Sequence, residues 1–156
     1  MKEQDPQQVY LNNLDSFWSL YEIMGVSLVD IGTWKWLYAH PDATAAQLRD
    51  AVNALAIETW NTYFAPVFGI KDQPVLAIYS HMINAPLYLP NYAYGQIIEF
   101  QIEDYIKDKN FASEIERIFS LGRLTPKQWM KEAVGGDLSV QPIMHAADEA
   151  LLHLKY

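Results

Sequence analysis

Three capping boxes constrain this chain more than any other feature. Thr44-Ala45-Ala46-Gln47, Ser113-Glu114-Ile115-Glu116 and Thr125-Pro126-Lys127-Gln128 each set a hydroxyl three residues ahead of Glu or Gln. In that arrangement the hydroxyl accepts from the third helical N–H, and the Glu or Gln side chain reaches back to the cap N–H. Two donors that a helix start leaves orphaned are then satisfied. The third box adds Pro at the first helical position, where no N–H is needed. Apolar residues between these starts recur at helical spacing, and no stretch alternates as a strand does. The expectation is an all-α chain of about seven or eight helices, forming a single domain over residues 1–156.

The segments follow from stops and periods. Val9 to Met24 reads as a first helix stopped by Gly25. Ser27 to His40 is apolar nearly all round and reads as a buried helix, with Gly32 a weak point or a close-packing position. The Thr44 box leads a helix to about Phe64, with Leu48, Val52, Leu55, Ile57, Trp60 and Tyr63 on its face, closed by Pro66 and Gly69. Pro74 opens a short helix ending near Asn84. Pro86 and Pro90 bracket an extended piece, since a residue before Pro avoids the helical region. From Asn91 the helical period returns in Ile97, Ile98, Phe100, Gln101 and Tyr105. Asn110 interrupts, and the Ser113 box leads a helix that stops at Gly122. The Thr125 helix ends at Gly135. Gln141 to Leu154 is the last, with Ile143, Met144, Ala147, Leu151 and Leu154 inward. The five Trp residues sit at helical spacing and read as core.

Composition narrows the function. Hydrophobic residues make up 51% of the 156 and charged residues 19%. This is a globular balance with a low charged share, which implies a surface that expects cover, from a missing part of the same protein, another subunit or a second copy. The formal net charge of -8 argues against nucleic acid, because phosphate binding needs clustered Lys and Arg. With no Cys there is neither a disulfide nor a thiolate metal site. MKEQDPQQ has no apolar core, so no signal peptide is expected. No window is long and apolar enough to span a bilayer. The default compartment is cytoplasmic, and a fragment of an exported protein would read the same.

Metal and nucleophile motifs are missing. His40, His81, His145 and His153 fall in no H-E-x-x-H, the arrangement that places two zinc ligands and a base on one helix face. His145 and Glu149 share a face but make two ligands at most. His40 precedes Pro41 and reads as a helix-end residue. Ser80 beside His81 is no triad, and no G-x-S-x-G or phosphate loop occurs. What remains is the stretch from Leu76 to Ile106, where His81 is followed by Tyr88, Tyr92 and Tyr94. Buried, such residues need hydrogen-bond partners and form a polar network in a core. Facing a cleft, they are donors for a substrate carbonyl or a developing oxyanion.

The His81, Tyr88, Tyr92 spacing, followed by Ile97-Ile98-Glu99-Phe100-Gln101, resembles the C-terminal active-site stretch of the helical zinc metallopeptidases. That gluzincin group includes angiotensin-converting enzyme and thimet oligopeptidase. Leu121-Gly122-Arg123, Pro126, Trp129 and Gly135 are similar to its final helix pair, so the likeness is clearest over residues 75–152. The resemblance implies a helical peptidase-like domain acting on peptides. It makes His81 and Tyr92 catalytic, as oxyanion donors. Tyr88 and Tyr94 become substrate contacts, Tyr94 standing as the alternative to Tyr92 across Pro90. The group's zinc ligands are absent from these residues, so no cofactor is expected in this chain and zinc only in a full-length member. The implied function is a hydrolase-derived part that supplies substrate-binding and oxyanion-stabilising groups and is inactive alone. The alternative is a non-catalytic helical module for interaction or oligomerisation.

Overall fold

Gly25 does not stop a helix. In the computed structural model, which describes residues 5–154, α1 runs unbroken over Pro6–Ala39. The expected break is overturned because both glycines on this helix are docking notches. A Cβ on Gly25 would lie 2.5 Å from two ring atoms of Phe64, and one on Gly32 would lie 3.1 Å from a Leu55 methyl. Each Gly costs a helix about 1 kcal/mol against Ala. Here the close approach of large side chains offsets that cost, so the helix continues. Nor is its second half buried all round: Tyr38 is 75% exposed, while Val26, Val29, Asp30 and Thr33 form one inward face. The buried Thr33 and Ser27 hydroxyls donate back to the carbonyls of Val29 and Ile23, at 2.8 and 2.6 Å.

The remaining elements are α2 (Ala45–Thr59), a π-helical turn (Trp60–Phe64), α3 (Ala65–Phe68), a 3-10 turn (Val75–Ala77), α4 (His81–Asn84), α5 (Pro90–Ile106), α6 (Phe111–Phe119), α7 (Pro126–Val134) and α8 (Gln141–His153). The described residues contain no strand, so the fold is all-α as expected. No helix among them is long and apolar enough to cross a membrane. Residues group into two compact units: 19–93 in one, and 1–18 with 94–156 in the other.

In the unit of residues 19–93, α2 begins with the capping box read from the sequence, both reciprocal bonds present. Pro66 does not close this helix. It lacks an N–H and its ring crowds the carbonyl four residues back, and the chain meets this with a wider π turn just before it. Gly69 then ends the run at φ 70°. The Tyr21 hydroxyl donates to the Tyr63 carbonyl, and Trp60 Nε1 donates to the Ile70 carbonyl at 2.7 Å. The core here is Val26, Val29, Val52, Ala56, Phe64, Leu76, Met82 and Leu89. The expected helix from Pro74 to Asn84 is two short pieces, the 3-10 turn and α4, not one.

In the unit of residues 1–18 and 94–156, the buried set includes Ile97, Phe100, Ile118, Met130, Ala133, Ile143, Ala147, Ala150 and Leu154. The second capping box is corrected. Asn110 is itself the cap, its side chain accepting from Ser113 N–H, so α6 starts three residues earlier. The box at Thr125 and the Gly135 stop stand as read. On α8, Ala150 takes the inward place expected of Leu151, which is 59% exposed, and Met144 is exposed as well. Two side chains tie this unit. Gln101 donates to the Asp137 carbonyl and accepts from Ser139 N–H, both at 2.9 Å. Arg117 donates to the Glu132 and Ala133 carbonyls at 2.8 and 2.6 Å, capping the end of α7 while pairing with Glu114.

None of the Trp residues is fully buried, although Trp60 packs against the core of its unit. Trp18 is 43% exposed, and Trp34, Trp36, Trp60 and Trp129 are half-buried. A large ring with an N–H seldom disappears completely.

The notch argument gives a contrast between two glycines. Gly25→Ala forces the Phe64 ring to move and is expected to destabilise by about 1–3 kcal/mol, against a helix gain of about 1. Gly95→Ala, inside α5 with open space around its Cβ, is expected to stabilise by about 0.5–1 kcal/mol. Urea unfolding of both variants decides it. Equal and opposite-to-expected shifts would remove the packing explanation for the unbroken α1.

Candidate functional site

Every fourth residue on one face of α1 is committed to the segment that carries His81. Helical rise puts Glu22, Val26, Asp30 and Trp34 in a row. Glu22 Oε1 accepts from the Tyr79 hydroxyl at 3.0 Å. Trp34 Nε1 donates to the Met82 carbonyl at 3.0 Å. Asp30 Oδ1 accepts from Leu87 N–H at 3.3 Å. Met82 and Leu89, both fully buried, pin the same segment by apolar burial. A stretch with little regular structure is thereby held along a long rigid helix.

The held segment presents three rings together. The His81 ring lies 6.2 Å from that of Tyr88, nearly parallel at 11°, and 6.4 Å from that of Tyr92, edge to face. The Tyr88 and Tyr92 rings meet edge to face at 5.4 Å. Edge-to-face contacts bring a ring's positive rim to another's negative face. His81 is half-buried, whereas Tyr88 and Tyr92 are 48% and 47% exposed. The two tyrosines are therefore not struts of a closed core. The Tyr79 ring also lies 6.5 Å from that of His81, tilted by 45°. Tyr94 is half-exposed and lies about 200° round α5 from Tyr92, since each helical residue turns the chain by about 100°. The trio is His81, Tyr88 and Tyr92.

Beneath it is a residue that the motif reading passed over. Asp30 is completely buried, and its Oδ2 has no hydrogen-bond partner. Burial pushes its carboxyl above the usual range. The N–H groups of Leu87 and Leu89 and the nearby His81 ring pull it back without cancelling the rise. Leu87 sits at φ 58°, a left-handed conformation that costs a branched side chain about 1–3 kcal/mol and lasts only where surroundings enforce it. The bond from its N–H to Asp30 is one such constraint. Tyr79 is also pushed up, by burial first and then by Glu22. The signal for Asp30 was present: one carboxylate inside the apolar run Ser27 to Trp34.

The other histidines have contacts of their own. His40 stacks on Trp36 with ring centroids 4.3 Å apart, and its Nδ1 lies 2.8 Å from the Trp36 carbonyl. A recess of about 330 Å³ beside it is lined by Trp36, His40, Asp42 and Gln47, remote in the chain from the trio. His145 Nδ1 is 3.9 Å from Glu149 on an exposed face, and His153 stacks on Tyr10. Among the described residues no group of three His, Asp or Glu side chains is placed to hold a metal ion.

No family model matches the chain, and no match is found among curated proteins or solved structures.

Chemically, the trio offers two phenol O–H groups and an imidazole at the surface, suited to a carbonyl oxygen or a carboxylate. The buried acid under it makes a pH-dependent contribution. A carboxyl raised in the folded state favours folding when protonated. That contribution is complete below the unfolded value near 3.9 and is lost as pH rises through the raised one. Asp30→Asn removes it. Urea midpoints from pH 4 to 7 are expected to show the Asn variant gaining on the parent as pH rises. A gap that stays constant would mean that Asp30 does not titrate above its unfolded value.

Proposed function

We propose that this chain is the peptide-binding, carbonyl-polarising part of a helical hydrolase related to the gluzincin peptidases. The observation that carries this reading is the convergence of His81, Tyr88 and Tyr92, from α4, the turn after it and the start of α5, with both phenols half-exposed. Tyr92 and His81 donate to the carbonyl oxygen of the bond under attack, which gains negative charge as a tetrahedral intermediate forms. Tyr88 offers a ring face and a hydroxyl to the neighbouring peptide unit. Activation of water is left to groups outside these residues, and the chain alone binds but does not cleave.

A second reading has its own support. Several large apolar side chains stand exposed, Phe119 at 80%, Leu152 at 76% and Ile78 at 72% among them. A non-catalytic module that covers such residues by pairing with another copy or another subunit explains them directly. Sedimentation equilibrium separates the two: a strict monomer at high micromolar concentration speaks against self-association.

Tyr92→Phe tests the main reading, with calorimetry against an acetylated hexapeptide amide. Removing one exposed hydroxyl should move the melting midpoint very little, by less than about 0.5 kcal/mol. Peptide affinity should fall about two- to tenfold, the worth of one hydrogen bond. Loss of stability without loss of affinity would make Tyr92 a strut. Hydrolysis of the peptide by the pure chain with added zinc would overturn its inactivity alone.

A further inference from the structure

Resting on that reading of the trio, we infer that Asp30 is the site's positioning residue: from inside α1 it fixes the turn at Leu87 to Leu89, and so fixes where Tyr88 and Tyr92 stand against His81. The carboxylate touches no substrate. It acts through the backbone, since Oδ1 accepts from Leu87 N–H and the Leu89 N–H also lies close enough to act on its charge. Those two residues flank Tyr88. Leu89 immediately precedes Pro90 and α5, so the same hold sets where the helix carrying Tyr92 begins.

Three features argue that the role is more than filling a core. A fully buried acid with an unpartnered oxygen is a costly way to fill space, and an apolar residue would serve packing better. The turn it holds is one that a leucine does not adopt unaided. Tyr88, between the held residues, and Tyr92, just beyond them, are exposed and are therefore not fixed by their own burial. Glu22 and Trp34 restrain the segment earlier, at Tyr79 and Met82; the turn itself is closed by Tyr88 N–H donating to the Ala85 carbonyl at 3.1 Å, and Asp30 is the side chain that ties it to α1.

The test compares Asp30→Leu with Asp30→Asn by NMR. Asn keeps the acceptor oxygen, and Leu removes it at similar volume. In Asp30→Leu the amides of Leu87 and Leu89 are expected to exchange about tenfold faster or more, while Val52 and Ala56 in α2 keep their protection. The ring contact between His81 and Tyr88 is expected to be lost, and Asn is expected to restore it. Unchanged exchange at Leu87 and Leu89, or a ring contact that survives in the Leu variant, overturns the inference. Should the Leu variant not fold, the parent chain still decides. Slow exchange at Leu87, a residue outside any helix and 44% exposed, supports the hold, and free exchange there overturns it. None of these readouts uses peptide. If peptide binding fails while the ring contact follows Asp30, the proposed function falls and the positioning role stands.

Discussion

Three side-chain hydrogen bonds from one face of α1 hold the segment between Tyr79 and Leu89, and the candidate site depends on them. That segment has a 3-10 turn before it, one turn of helix within it and a left-handed leucine near its end. Its internal backbone bonds are short-range turns, which shape it locally but do not dock it on the rest of the fold. Glu22, Asp30 and Trp34 supply bonds from outside, at a spacing of four or eight residues that a straight helix turns into a row. A break at Gly25 would have rotated Glu22 out of line with Asp30. The notch that receives Phe64 therefore serves the site as well as the core.

The balance at Asp30 shows which force wins where charge is buried. Burial raises the carboxyl, and two backbone N–H groups and an imidazole lower it, yet the net direction is upward. The exposed phenols above it need no activation to donate hydrogen bonds, and their worth comes from being held in place.

Much of the fold was legible where local chemistry decides it. Thr44 and Thr125 cap as read, because a hydroxyl and a Gln three residues on settle their bonds within one turn. Ile97 and Phe100 are buried as the period implied. The sequence misled where a distant partner decides. Gly25 looks like a stop unless Phe64 is known to pack on it. Ser113 looks like a cap, but Asn110 three residues earlier accepts from the Ser113 N–H and starts the helix there. Pro66 looks like an end, but a π turn absorbs it. Of the candidate site, the His81, Tyr88, Tyr92 set was legible from spacing, and the structure brings those three rings together. Tyr94 was grouped with them by proximity in sequence, and helical rotation carries it away. Asp30 was passed over because motif reading looks for groups near each other in the chain, and its partners are 57 residues on.

The central claim is that a peptide carbonyl is held where His81, Tyr88 and Tyr92 meet. The most direct measurement is chemical-shift mapping on isotope-labelled chain, titrated with an acetylated hexapeptide amide. The account predicts saturable shifts centred on the His81, Tyr88 and Tyr92 rings, spreading to the Leu87 amide. Shifts centred on exposed apolar residues such as Phe119 and Leu152, or none at millimolar peptide, would contradict it.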